Sequence, residues 1–282
     1  MIQRALRVLV CLALCFTLAG PAYATESGVE APVTASGIEV PVTVNGVAIE
    51  TGFASQVLNG QTYVSYNAIV NALYPDAVAQ WANNQAEVTA AGLKLCIKPA
   101  AKYIVANGRY LYVPDGVLPG GNHILVPVRT LCQALGATVA WDDATGTVAI
   151  TGGAGPIASG ESWYNAEDLH WLSRIIYAES GNQPLDGMIA VGNVVLNRVA
   201  SPAFPNTVHD VIFQRNQFTP ASSGSINRTP SEQAVIAAKL CLDGANTAGS
   251  ALYFVNPRVS PNSWAAQNCT HVATIGAHAF FA

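Results

Sequence analysis

The strongest constraint in this chain is a duplication. The stretch "YVSYNAIVNALYPDAVAQWANNQAEVT" at 63–89 mirrors "LVPVRTLCQALGATVAWDDATGTVAIT" at 125–151, with two extra residues before the tryptophan of the first copy. Val64, Ile69, Leu73, Trp81 and Val88 match Val126, Leu131, Leu135, Trp141 and Val148. Each copy reads as a leading strand, a short helix and a β-hairpin, and in the second copy Asp143 to Gly146 makes the turn between alternating strands. One such unit buries little apolar surface alone, so the two are expected to pack together. Trp81 and Trp141 have two readings, a core side chain or a platform for a sugar ring. The core is the expected place for both.

The chain divides around this pair. Residues 151–162, "TGGAGPIASGES", are rich in Gly, Ser and Pro without apolar periodicity, and 152–162 is expected to be a linker. Upstream, Arg4 and Arg7 precede a short apolar run from Val8 to Ala19 and the small-x-small site Ala22-Tyr23-Ala24. That is a secretory leader over 1–24. Cys15 raises a lipid anchor as the rival, but Leu14 before it is not small, so cleavage after Ala24 is expected. The apolar run is shorter than the ~20 residues a bilayer span needs, and no stable membrane span is expected. With 282 residues, two domains follow, at 38–151 and 163–282.

Only 11% of residues are charged and 51% are hydrophobic, so the surface must lean on uncharged polar groups. That suits an extracellular protein acting on uncharged polymers. A net charge of -4 without a basic cluster argues against nucleic acid as a partner. Beyond the leader stand Cys96, Cys132, Cys241 and Cys269, two in each half. Outside the cell they could pair as Cys96–Cys132 and Cys241–Cys269, each bridge contributing ~3–4 kcal/mol by loop closure. Four buried thiols is the other reading, and both stay open. No Cys-x-x-Cys pair supports zinc.

The second half begins with "NAEDLHWLSRIIYAES". Asn165 is a candidate N-cap, with Glu167 and Asp168 in the first turn where the helix dipole favours acids. Leu169, Leu172, Ile176 and Glu179 fall within an arc of about 80°. Glu179 therefore sits on the inward stripe, at the C-terminal end. The dipole there opposes negative charge and apolar neighbours remove water, so its pKa is expected to rise. That is the condition for a general acid. The plainer alternative is a Glu that reaches outward or pairs with Arg174 or Arg198.

The next helix, about Leu185 to Val199, is apolar almost all round and reads as the central buried helix. Asn193 and Asn197 on it either line a groove or satisfy each other's surroundings. "TVHD" at 207–210 and "TPSE" at 229–232 read as capping boxes, the latter with Thr229 as cap, so Glu232 is structural rather than catalytic. Between them, the polar loop around Phe218 has the character of a binding-site wall. His271 and His278, seven apart, give no local metal-ligand pair.

Two resemblances extend these readings. "VPVRTLCQALGATVAWDDATGTVAIT" makes 38–151 resemble the copper amine oxidase N-terminal-like domain of secreted bacterial proteins. That likeness implies an extracellular or wall-associated accessory module. It does not bring copper, since the five histidines are scattered and no Asn-Tyr-acid segment for a quinone cofactor is present. "RIIYAESGNQPLDGMIAVGNVVLNRVASPAFPNTVHDVIF", followed in order by "QFTP", "SALYFVNP", "SWAAQN" and "IGAHAFF", resembles the SleB-type cell-wall hydrolases, the spore-cortex-lytic enzymes. The likeness covers about 163–282. It implies an α+β chain of two domains: a β-rich α/β-repeat accessory domain, then a mostly helical lysozyme-like catalytic domain.

The resemblance implies peptidoglycan glycan strands as substrate, Glu179 as the catalytic acid, and no metal or organic cofactor. It further implies a secreted, wall- or spore-associated location. Wall or spore-coat proteins are expected partners of the N-terminal domain. Where many relatives carry a second acid shortly after the catalytic Glu, Gln183 stands here. Asp186 and Asp210 are the nearest other acids, neither in a persuasive setting. An ordinary glycosidase needs two carboxylates, but a lytic transglycosylase can use one, because the muramic 6-hydroxyl serves as nucleophile. Gln217, Phe218, Tyr253, Asn256, Trp264 and Asn193 are the expected substrate-binding residues, with strand core as the rival reading for Tyr253. Two alternatives remain: a non-catalytic wall- or spore-coat-binding protein, and a true hydrolase leaving reducing ends.

Overall fold

The computed structural model of the protein describes residues 40–282. The leader expected at 1–24, with Cys15 in it, lies outside the described residues. The first half runs β1 (Val42–Val44), β2 (Val47–Ile49), β3 (Gln56–Leu58), β4 (Gln61–Ser65), α1 (Tyr66–Leu73), β5 (Val78–Ala82), β6 (Gln85–Ala90) and β7 (Leu93–Ile97). It continues through β8 (Tyr103–Ala106), β9 (Arg109–Tyr112), β10 (Leu118–Gly120), β11 (His123–Pro127), α2 (Val128–Leu135), β12 (Thr138–Asp142) and β13 (Thr147–Thr151).

The duplication is visible as β4–α1–β5–β6 and β11–α2–β12–β13. Strands β4 and β11 pair antiparallel, and the matched residues Val64 and Val126 face each other in register. A local two-fold axis therefore passes between the copies, each supplying the apolar surface the other lacks. Val64, Ile69, Val126 and Leu131 are fully buried there. The copies then diverge. Hairpin β5–β6 is extended by β7, β8 and β9 into a five-stranded antiparallel sheet, whereas hairpin β12–β13 takes up β1 parallel to β13, with β2 outside it. Both tryptophans depart from the core expectation: Trp81 is 60% and Trp141 50% exposed. Strands β5 and β12 are the outermost strands of their sheets, which leaves both indoles largely open to solvent.

The Gly-rich stretch after β13 is tied along the first half. Asn45 Oδ1 accepts from Gly152 N, Asn107 Nδ2 donates to Ile157 O, and Gly160 N donates to Asn107 O at 2.8 Å. Gly160 is required by that approach, since a Cβ there would lie 2.6 Å from Gly108 O.

The second half comprises α3 (Gly160–Trp163), α4 (Ala166–Ser180), α5 (Leu185–Ala200), α6 (Val208–Phe213), α7 (Thr219–Ser223), a 3-10 turn at Ser225–Asn227, and α8 (Glu232–Leu242). It ends with β14 (Tyr253–Val255), α9 (Trp264–Asn268), β15 (His271–Ile275) and β16 (His278–Phe281), the strands forming an antiparallel sheet with β16 central. The chain is thus α+β, with a β-rich repeat domain and a mainly helical second domain. Helices α4, α5 and α8 pack on one another, with α5 buried from Gly187 to Val195. Gly192 allows the closest crossing, because a Cβ there would lie 2.6 Å from Cys241 Sγ. Asn165 caps α4 by accepting from Glu167 N and Asp168 N. At α8 the expected cap is displaced: the chain stays extended through Ser231, whose Oγ, rather than Thr229, takes Ala234 N. The four described cysteines are free thiols. Cys132 and Cys241 are buried, and burial pushes the Cys132 thiol up to about 12.

The sheet of the first half meets the helices of the second through β8 and β9, whose Tyr103, Tyr110 and Tyr112 pack on the helical core. Two acids of the helical half complete this junction. Asp243, after α8, is ion-paired with Arg109 and accepts from the Tyr164 hydroxyl. Asp186, in the first turn of α5, is ion-paired with Lys102 and accepts from the Tyr112 hydroxyl at 2.8 Å. The Arg109 guanidinium also lies 3.6 Å from the centre of the Trp163 ring.

Candidate active site

Glu179 stands one residue before the end of α4. Its helix is fixed by Leu172, Ile175 and Ile176, all fully buried, and Ser180 beyond it is buried with its hydroxyl donated to Ile176 O. The carboxylate is half-buried and makes no hydrogen bond or ion pair among the described residues. Burial pushes its pKa above the ordinary carboxylate range. The two arginines that could have neutralised it are engaged elsewhere. Arg174 donates to His170 Nε2 and to Arg228 O, and Arg198 donates to Leu252 O. A carboxyl kept short of water and of cations is suited to holding and delivering a proton.

The other acids near it in sequence are committed or remote. Asp186 is held by Lys102 and Tyr112. Asp210 lies in solvent beside His209, at 60% side-chain exposure. Gln183 is structural: its Oε1 accepts from Ala277 N at 2.8 Å, which latches the α4–α5 turn to the β15–β16 turn. Gly276 in that turn has φ +59 and no room for a Cβ against the Gln183 side chain.

The expected substrate-binding residues fall into two sets. Tyr253 and Trp264 come together as a T-shaped pair with ring centres 5.4 Å apart, Tyr253 half-buried and Trp264 61% exposed. Asn256 is half-buried just beyond β14, with Oδ1 accepting from Arg258 N, and Gln217 is exposed. α7 and the 3-10 turn, which follow Gln217, pack against α4. These residues present aromatic faces and amide groups.

Asn193 and Phe218 do not belong to an open surface. Asn193 is buried, donating to Ala245 O and accepting from Thr247 N, so its amide fastens the loop after α8 and is not presented to solvent. Asn197 does the same for Gly249 O and Ala251 O. Phe218 is 4% exposed, packed into the helical core beside Arg198, a residue that sequence reasoning considered only as a partner for Glu179. The Arg198 guanidinium is buried with its centre 4.9 Å from the Phe204 ring, 5.2 Å from Phe218 and 5.5 Å from Tyr253. A lone cation in a helix that is apolar almost all round is the signal available for it. Among the described residues, three buried polar atoms lack a protein partner, Arg198 Nη1, Gln214 Oε1 and His278 Nδ1. His278 is thus in the core but not satisfied there, and burial lowers its pKa. It packs on Phe254, which in turn stacks near Phe218. Among the described residues, no group of three or more His, Cys, Asp and Glu stands together as a metal site, and no helix is long and apolar enough to cross a membrane.

Residues 182–281 match the Cell Wall Hydrolase family, and residues 43–150 match the Copper amine oxidase N-terminal domain. The second half carries a cell wall hydrolase domain. Glu179 lies three residues before the matched stretch. Similar proteins include the spore cortex-lytic enzyme of Bacillus cereus, 38% identical over 117 residues, which are 42% of this chain and 45% of that one. The spore cortex-lytic enzyme of Bacillus subtilis is 33% identical over 117 residues, covering 42% and 38%. The chain thus spans less than half the length of these curated relatives. Among solved structures, the catalytic domain of the Bacillus cereus SleB protein is 37% identical, with 42% of this chain and 92% of that chain covered and a TM-score of 0.40.

Proposed function

We propose that this chain degrades peptidoglycan by cutting the glycan strand between N-acetylmuramic acid and N-acetylglucosamine. The observation that carries the reading is the unpaired, desolvated Glu179 carboxyl just ahead of the stretch that matches the Cell Wall Hydrolase family. The names of the relatives support the polymer, and their spore cortex is the target we assign. Glu179 protonates the glycosidic oxygen as the bond to the muramic C1 breaks. The same carboxylate then removes the proton from the muramic 6-hydroxyl, whose oxygen closes on C1 to give a 1,6-anhydro ring. One carboxylate serves both steps. The commitment of Asp186 to Lys102 and Tyr112 supports this lytic transglycosylase route over one needing a second acid. Tyr253 and Trp264 stack on sugar rings, while Asn256 and Gln217 hydrogen-bond their substituents. The protein works outside the cell, at the wall or spore.

Digestion of purified peptidoglycan, with fragments read by mass spectrometry, tests this. Anhydro-muramic ends are expected. Reducing ends would replace transglycosylation by hydrolysis, and an absence of products from folded protein would leave a wall-binding role.

A further inference from the structure

A cavity lies between the first half and the loop after α8. It measures about 570 Å³ and is bounded by the β3–β4 hairpin, the start of α2, the free edge of β12 and the loop after α8. Glu179 does not line it. The volume lies within the range that encloses a small organic ligand.

Its polar groups divide sharply. Those from the second half are already used: Asp243 by Arg109 and Tyr164, Asn246 by Gly249 O and Ala248 N. Those from the first half are not. Gln61, Thr62, Arg129, Thr130 and Gln133 make no side-chain hydrogen bond or ion pair among the described residues, yet all face this one cavity. Beside them stands Trp141, half-exposed. Among the described residues lining it, Arg129 is the one unpaired cation and there is no unpaired anion. An exposed indole, four neutral donors and acceptors, and one guanidinium match a ring with amide and hydroxyl substituents and a single carboxylate.

We propose that this cavity is a second, non-catalytic binding site for an acidic amino-sugar oligosaccharide, with Trp141 stacking on a sugar ring and Arg129 pairing with the carboxylate. The choice of a peptidoglycan sugar rests on the function proposed above; the preference for an uncharged ring bearing one carboxylate rests on the cavity alone. The duplication supplies a control. Trp81 occupies the matched position in the first copy, is comparably exposed, and does not line the cavity.

The test is calorimetric titration of the full chain with the disaccharide N-acetylglucosaminyl–N-acetylmuramic acid, with diacetylchitobiose as the neutral analogue. Trp141→Ala and Arg129→Ala are each expected to weaken binding of the acidic disaccharide by about tenfold or more. Trp81→Ala is expected to bind as the parent does. The neutral sugar is expected to bind the parent more weakly and to be indifferent to Arg129→Ala. Circular dichroism melts check that the variants, all at exposed positions, keep the fold. Equal binding by all variants overturns the site. Equal binding of neutral and acidic sugars overturns the role of Arg129. Tighter binding of a sugar-free stem peptide overturns the sugar assignment in favour of peptide. Peptidoglycan cleavage and disaccharide binding measured on Glu179→Gln separate this proposal from the catalytic one: that variant loses cleavage and keeps the Arg129-dependent part of the binding. Loss of binding with no cleavage in the parent keeps the cavity while removing the enzyme reading.

Discussion

Glu179 ends α4 with a carboxylate that meets no cation, whereas Asp186, in the first turn of α5, is held by Lys102 and the Tyr112 hydroxyl from the neighbouring sheet. Only a tight turn separates them. Asp243, across the same junction, is more deeply committed still, at 1% side-chain exposure against Arg109. The difference teaches where the first half acts on the second. Its basic and phenolic groups take up the acids that anchor the junction and leave Glu179 bare. An acid with a fixed partner holds structure, and an acid without one is free to move a proton.

The contrast is broken or kept most plainly by activity. Glu179→Gln is expected to lower glycan cleavage by about 10²–10⁴-fold, the usual contribution of a positioned general acid. Asp186→Asn is expected to retain most of kcat. Equal losses in steady-state assays would show that both acids work on substrate and that the tether at Asp186 opens during turnover.

The second effect in size is on stability. Arg109 and Asp243 form a buried pair, 7% and 1% exposed. Asp243→Asn leaves the guanidinium buried without its counter-charge, which costs about 3–5 kcal/mol. Denaturant unfolding measures it. Arg109→Ala with Asp243→Asn should cost less than the two single changes summed. A loss under 1 kcal/mol would mean that the two halves are not held by this pair.

Local chemistry was legible before the fold was known, and distant pairing was not. The matched apolar spacing of the duplication foretold that the copies pack on each other, because each must cover the same exposed face. Asn165 was readable as a cap since its partners lie two and three residues on. The inward aim of Glu179 followed from the 3.6-residue period. The tryptophans were misplaced because their exposure depends on which strand ends each sheet, and sheet order is set by pairings far along the chain. Asn193, expected to bind substrate, is instead structural for the same reason, its partners Ala245 and Thr247 being more than fifty residues away. The partners of Asp186 and Asp243 are also remote, Lys102 84 residues and Arg109 134 residues off. No periodicity encodes such distances.

A third comparison uses pH. Burial raises the Glu179 pKa above its ordinary 4.5. In that window the folded state binds more protons than the unfolded one, so this group's contribution is full below about pH 4.5 and is lost as pH rises through the folded value. Glu179→Gln removes that loss. The melting temperature of the variant should match the parent in acid and exceed it at neutral pH. The opposite sign would mean that Glu179 finds a cation after all. On the activity side, cleavage should fall as pH rises through the same folded pKa, because the proposed mechanism starts from the acid form.

The smallest expected effect lies at Lys102. Its ion pair with Asp186 has side chains 40% and 28% exposed, so solvent screens it, and Lys102→Ala should cost at most about 1 kcal/mol. The Tyr112 hydroxyl still holds the other Asp186 oxygen in that variant. Removing both, as Lys102→Ala with Tyr112→Phe, frees Asp186 without touching Glu179. Product analysis then decides what the tether does. Continued anhydro-muramic ends from the double variant mean that Asp186 is an anchor and nothing more. A shift toward reducing ends means that the sheet keeps a second carboxylate out of the reaction by binding it.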